Sequence, residues 1–220
     1  QGIRHGMRVA IVCRNGMPFV YAAFALMRLG AVSVPLNWRL TPSELSAQLE
    51  HADAAWLLHD EACGMSLPSA SQLRTLCIDP DPASLQTPTD LPLPSPPLNT
   101  DPACIVFTAG TSDSPRGVVL SHANLLANIR AMGQVCEVTA ADVFVSWLPL
   151  YHDMGLIGAW LGSLYHGCRL VVMPPLAFIA RPERWLLAID RYRGTLSAAP
   201  HFGYDLCCAR LDDTLTAGRD

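Results

Sequence analysis

"CIVFTAGTSDSPRGVVLSHANL", residues 104–125, decides how this chain is read. An apolar run breaks into small and hydroxylated residues, passes Pro115-Arg116-Gly117, and turns apolar again. The two flanks, "ACIVF" and "GVVLS", are short and rich in β-branched residues, so each reads as a strand. Ser121 stands where it can cap the helix "HANLLANIRAMGQV", whose apolar face is Leu125, Ile129, Met132 and Cys136. The centre is therefore a strand–loop–strand unit leading into a helix.

That context weighs the chemistry open to the loop. A Walker loop requires G-K-[ST] after its glycines, and Gly110 is not followed by it; there is no G-x-G-x-x-G either. "GTSDS" (110–114) is a near miss to the nucleophile elbow, but an elbow leads into a helix and here a strand follows. A phosphate cradle remains. Thr108, Thr111, Ser112 and Ser114 offer hydroxyls, Gly110 and Gly117 let backbone amides approach an anion, and Arg116 supplies a planar cationic fork. A plain solvated hairpin uses the same residue types, and composition alone favours it.

Outward from this centre, strands and helices alternate. "RVAIVC" (8–13) reads as a strand, "MPFVYAAFALMRLG" (17–30) as a helix stopped at Gly30, "AVSVPL" (31–36) as a strand. Thr41, Pro42 and Glu44 form a helix start with a capping box. "AAWLLHD" (54–60) reads as a third strand. Residues 79–100 hold seven prolines and read as a linker or surface loop. Further on, strands "VFVSWL", "CRLVVM" and "TLSAA" alternate with helices 154–166, 182–193 and 201–211, with Gly167 and Gly194 as helix stops. The expectation is an α/β fold: a first βαβ lobe over 1–78, a Pro-rich linker over 79–102, and a second α/β lobe over 103–220.

Composition narrows the function classes. Net charge is −4 with no basic cluster, which argues against a nucleic-acid surface. All 15 basic residues are Arg, so no lysine amine acts within residues 1–220. Half the residues are hydrophobic and mean hydropathy is +0.25, yet the apolar stretches 17–36 and 154–173 are interrupted by Arg28, and by His166 and Arg169. They read as helix plus strand, not membrane spans. The eight Cys show no C-x-x-C pair, so no metal site is expected. They read as reduced, buried thiols of a cytoplasmic protein.

The central stretch resembles the signature loop of the adenylate-forming (AMP-binding) superfamily, T-S-G-[ST]-T-G-x-P-K-G followed by an apolar strand and S-H-x-N. It stands here as Thr108-Ala109-Gly110-Thr111-Ser112-Asp113-Ser114-Pro115-Arg116-Gly117, then "VVLSHANL". Ala109, Asp113 and Arg116 depart from the signature, and Asp113 puts negative charge where polyphosphate lies. Residues 6–45 resemble the N-terminal lobe of acyl-CoA ligases. Residues 146–207, with "LPLYHDMGL" at 148–156, are similar to fatty acyl-AMP ligases. The fold implied is part of the family's large N-terminal domain, with two mainly parallel sheets flanked by helices, truncated.

The resemblance implies attack of a fatty acid or other carboxylate on ATP, giving an acyl adenylate that passes to an acyl carrier protein or coenzyme A. It places Thr108, Gly110, Thr111, Ser112, Arg116 and Gly117 at the β- and γ-phosphates of ATP with Mg²⁺. It places His152 by the carboxylate and α-phosphate, and Gly155, His201 and Gly203 by the acyl group. Asp153 reads as a helix cap; Trp160, Tyr204 and Leu206 read as core. Gly155, Gly158 and Gly162 share a helix face, either for close packing or to leave room for an acyl chain. No adenine motif, Thr-Gly-Asp or lysine-bearing lobe occurs in 1–220. The chain is therefore expected to be a fragment, inactive alone. The alternative is a degenerate, non-catalytic remnant that binds an acyl group, nucleotide or partner.

Overall fold

The structure is a computed structural model, and it describes residues 2–64, 67, 73–78, 94–108 and 115–210. Strand β1 (Arg8–Val12) is buried at four of its five positions, as a strand covered on both faces must be. Helix α1 (Met17–Leu29) follows and ends at Gly30, which is left-handed (φ 65°). A Cβ there would fall 2.3 Å from the His5 ring, so both conformation and packing demand glycine. Strand β2 (Val32–Pro35) leads to α2 (Pro42–His51), whose capping box is complete: Thr41 Oγ1 accepts from the Glu44 amide, and Glu44 Oε2 accepts from the Thr41 amide. Strand β3 (Trp56–His59), the short α3 (Glu61–Gly64) and β4 (Arg74–Cys77) come next.

Strands β5 (Pro102–Thr108) and β6 (Arg116–Ser121) do not open a separate lobe. They extend the first sheet, whose order is β4-β3-β1-β2-β5-β6. All neighbours are parallel except β5 and β6. The join is the pair Ser33↔Cys104, reinforced by Ser33 Oγ donating to the Ala103 carbonyl at 3.2 Å. The chain divides into two compact units, 1–128 and 129–220, whereas the prolines suggested a break before residue 103. The core of the first unit gathers Val12, Val34, Leu36, Leu45, Leu57 and Ile105.

Helix α4 (His122–Val135) begins at the Ser121 cap: the Asn124 amide donates to Ser121 Oγ at 3.2 Å, and Asn124 Oδ1 accepts from the Ser121 amide at 3.0 Å. Leu125 and Ile129 are buried; Cys136, expected on the apolar face, is exposed just past the helix end. The second unit carries strand β7 (Val143–Ser146), a π-helix (Met154–Leu161) continued by α5 (Gly162–His166), and strand β8 (Arg169–Val172) parallel to β7. Helices α6 (Pro175–Ala180), α7 (Glu183–Tyr192) and α8 (His201–Arg210) complete it. Its core is aromatic: Trp147 stacks on Phe178 (3.9 Å between centroids, 8° between planes), and Trp185 meets both edge-on.

Several expectations shift. "TLSAA" makes only the isolated bridge Phe144↔Leu196, and Thr195 Oγ1 donates to Asp142 Oδ1 and accepts from the Val143 amide. The left-handed stop of α7 is Arg193 (φ 53°); Gly194 is small because a Cβ would lie 2.7 Å from Val145 Cγ2. Five cysteines are buried, while Cys77, Cys136 and Cys208 are exposed.

Asp60 is the buried charge of the first unit. Its carboxylate accepts from the Arg14 and Cys63 amides, each at 2.8 Å, and from Arg14 Nε at 3.4 Å. Burial pushes its pKa up, but the bonds from Arg14 and Cys63 and the Arg14 charge outweigh that and hold it below the usual value. The neighbouring Cys63 thiol is pushed up to about 12 by burial and by its bond to Asp60. Asp60→Ala strands two amides and is expected to cost about 2 kcal/mol in denaturant unfolding. In the parent chain this stabilisation is present above the unfolded carboxylate value of about 3.9 and is lost as pH falls through the lower folded value. The gap between parent and variant should therefore shrink on acidification.

Candidate functional site

The loop of interest joins two antiparallel strands, and β6 follows it, as the sequence required. At its mouth Thr108 and Arg116 are cross-strand partners, both exposed. Gly110, Thr111, Ser112 and Asp113 lie outside the described residues. Ala103, Cys104, Ile105 and Val106 are all core residues, so β5 is covered on both faces, whereas β6 has no fully buried position. Gly117 lies opposite Phe107, and a Cβ there would sit 2.9 Å from Ile105 Cγ2, so packing of the hairpin stem accounts for that glycine. Among the described residues Arg116 has no carboxylate partner. An exposed, unneutralised guanidinium beside a hydroxyl at a hairpin mouth can receive a multivalent anion bidentately.

In the second unit, His152 closes a turn: its amide donates to the Pro149 carbonyl at 3.2 Å, and its own carbonyl accepts from the Leu156 amide at 2.8 Å. Its ring is about half exposed, with Nδ1 2.6 Å from Asp153 Oδ1. Asp153 caps as expected, although it takes the adjacent Met154 amide (2.7 Å) and not one a turn further in. An exposed imidazole whose Nδ1 is oriented by a carboxylate can donate a hydrogen bond to an anionic oxygen.

Gly155 is buried, and a Cβ on it would fall 2.1 Å from the Pro149 carbonyl oxygen. Its smallness serves a close contact with the Pro149 backbone. Gly162 is similar, with its Cβ position 3.3 Å from the Ile157 carbonyl oxygen. Gly158 differs, because nothing lies within 4 Å of its Cβ position. A Cβ on Gly203 would fall 2.9 Å from Trp147 Cζ2, so the glycine allows close packing on that ring. His201 is almost fully exposed at the start of α8, with Nδ1 3.0 Å from Asp205 Oδ2. Tyr204 is half exposed against Trp185, contrary to its expected place in the core; Trp160 and Cys207 are buried and Leu206 joins the aromatic core.

Residues 1–217 match the family described as AMP-binding enzyme. The chain belongs to that family. Among AMP-binding relatives, it is 45% identical over 120 residues to the medium-chain-fatty-acid–[acyl-carrier-protein] ligase TtuA of Teredinibacter turnerae, covering 54% of this chain and 19% of the relative. It is 32% identical over 235 residues to the long-chain-fatty-acid–AMP ligase FadD26 of Mycobacterium marinum, covering 98% of this chain and 39% of the relative. Among solved structures, a fatty acyl-adenylate ligase from L. pneumophila, in complex with acyl adenylate and pyrophosphate, matches with TM-score 0.85 and 27% identity. That match covers 100% of this chain and 39% of the other. The chain thus spans two fifths or less of the length of these AMP-binding relatives.

Among the described residues, no helix is long and apolar enough to cross a membrane, and no group of three or more His, Cys, Asp or Glu is placed to hold a metal. What the sequence could not show is the π-helix that follows His152.

Proposed function

We propose that this chain is the part of an ATP-dependent carboxylate-adenylating ligase that receives the polyphosphate and the fatty acid carboxylate. The observation that carries the reading is the facing pair Thr108 and Arg116 at the mouth of the family's signature hairpin. With Gly110, Thr111, Ser112 and Gly117 they form the candidate cradle for the β- and γ-phosphates. A carboxylate oxygen of the fatty acid attacks the α-phosphorus, the bond to the bridging oxygen breaks, and pyrophosphate leaves with its electron pair. The protein's contribution is positioning and charge neutralisation. Arg116 offsets charge gathering on pyrophosphate, and His152 donates to an oxygen of the carboxylate or α-phosphate. Gly155 and Gly203 act through packing that shapes the acyl side; His201 stands at its exposed rim. Mg²⁺ accompanies ATP, and the described residues of this chain supply no carboxylate cluster for it.

Names of the relatives support an acyl carrier protein as acceptor, with coenzyme A the second choice. Eight cysteines with no C-x-x-C pair, five of them buried, support a reducing compartment, and the cytoplasm is the location proposed.

The test is fatty-acid-dependent exchange of pyrophosphate into ATP, measured on the natural polypeptide that carries residues 1–220. His152→Ala should lower the exchange kcat by about 100-fold. Absence of exchange in the parent overturns the reading and leaves the non-catalytic remnant, the alternative that Asp113 favours. Asp113→Gly removes a negative charge from the cradle and should lower the KM for ATP. An unchanged or raised KM would show that Asp113 does not repel the polyphosphate.

A further inference from the structure

The Asp153 carboxylate faces two groups at once. Its Oδ1 accepts from the Met154 amide at 2.7 Å and lies 2.6 Å from His152 Nδ1. A plain cap bonds an amide at the second or third helical position and has no use for a ring at its side. The Met154 amide also points at His152 Nδ1, but at 3.4 Å, so the nearer carboxylate oxygen takes the larger share of it.

The short contact between Nδ1 and Oδ1 decides which ring nitrogen holds a proton. A bare nitrogen lone pair is repelled by a carboxylate oxygen at that distance, whereas an N–H is attracted to it. Nδ1 therefore carries the proton. Nε2 is then bare in the neutral ring and only accepts; it donates when the ring is protonated. The oxygens beside which His152 is read, those of a carboxylate and an α-phosphate, are anionic and repel a bare nitrogen. Among the described residues Asp153 is the one charged group paired with the ring, and both side chains are about half exposed.

We propose that Asp153 is a positioning residue: it holds the Nδ1 proton of His152, so that the ring works as an imidazolium and donates through Nε2 to an anionic oxygen of the adenylation reaction. No bond forms to the ring, and the proton stays on Nε2. The role as donor rests on the reading of His152 given above; the placing of the Nδ1 proton does not.

The test uses the natural polypeptide that carries residues 1–220. The His152 ring nitrogens are followed by ¹H–¹⁵N correlation across a pH series, alongside exchange kinetics. As pH rises, the parent ring should pass from the cation to a neutral form protonated at Nδ1, and the kcat for fatty-acid-dependent exchange should fall over the same interval. Asp153→Ala leaves Nδ1 to the Met154 amide, so its neutral ring should be protonated at Nε2. Its kcat should drop roughly 10-fold or more, with the KM for ATP within twofold. Asp153→Asn keeps an accepting oxygen and should retain the Nδ1–H form. A parent ring neutral at Nδ1, a folded Asp153→Ala that keeps the Nδ1–H form, or a kcat unchanged while the ring loses its proton overturns the proposal. If the parent shows no exchange, the adenylation reading fails, and the ring signals alone decide whether Asp153 places the proton. If Asp153→Ala does not fold, the parent's neutral ring decides.

Discussion

Gly155→Ala should destabilise the second unit by about 3 kcal/mol, the upper end of what overpacking costs. The added Cβ would meet the Pro149 carbonyl oxygen at 2.1 Å and its carbon at 2.8 Å. Both are backbone atoms, so no rotamer change relieves the contact. The turn could move only by giving up the Pro149–His152 and His152–Leu156 hydrogen bonds. Thermal unfolding followed by circular dichroism should show a fall in Tm of roughly 6–12 °C. Gly158→Ala, on the same helix, is the matched control. Its methyl group meets nothing, and replacing helical glycine by alanine is expected to be neutral or to stabilise by up to about 1 kcal/mol. Equal losses in the two variants would show that helix propensity, not the contact with Pro149, governs this segment.

The contrast between these glycines illustrates what the sequence could and could not tell. Local signals were legible. Gly30 stops α1, Thr41 and Glu44 close a capping box, and Ser121 caps α4, because each depends on residues a turn apart. The strand–loop–strand order of β5 and β6 was legible for the same reason, whereas the pairing of Thr108 and Arg116, both read as loop, was not. Features set by distant contacts were not. The first sheet takes up β5 because Ser33 meets Cys104 about seventy residues on, and no local pattern encodes that. Helix α6 opens on Pro175, in a stretch between "CRLVVM" and helix 182–193 to which the sequence reading gave no element, although proline at a helix start is well suited to its fixed φ. The π-helix has a helical pattern like any other, so nothing in the sequence set it apart. The glycines divide likewise. The sequence left Gly155 open between close packing and room for an acyl chain and placed Gly203 beside the acyl group; the Cβ positions of the two meet Pro149 and Trp147, contacts that only the folded chain shows.

Arg116→Ala should raise the KM for ATP by roughly 10- to 100-fold, the equivalent of about 1.5–3 kcal/mol for hydrogen bonds to a charged group. Stability should stay within about 0.5 kcal/mol of the parent, because Arg116 is exposed and carries no ion pair among the described residues. That separation makes the variant a test of binding and not of folding. Arg116→Lys, which restores the residue of the family signature, keeps the charge but loses the planar fork. It should recover most of the affinity if charge neutralisation dominates, and little if bidentate contact does. Raising the salt concentration should weaken ATP binding in the parent and the lysine variant more than in the alanine variant. Asp113 enters the same balance. If it opposes the polyphosphate, Asp113→Gly should lower the KM for ATP even when Arg116 is alanine, and the coupling between the two substitutions measures how closely they share the anion. A KM for ATP unchanged by Arg116→Ala would remove Arg116 from the phosphates and leave the hairpin without its cation.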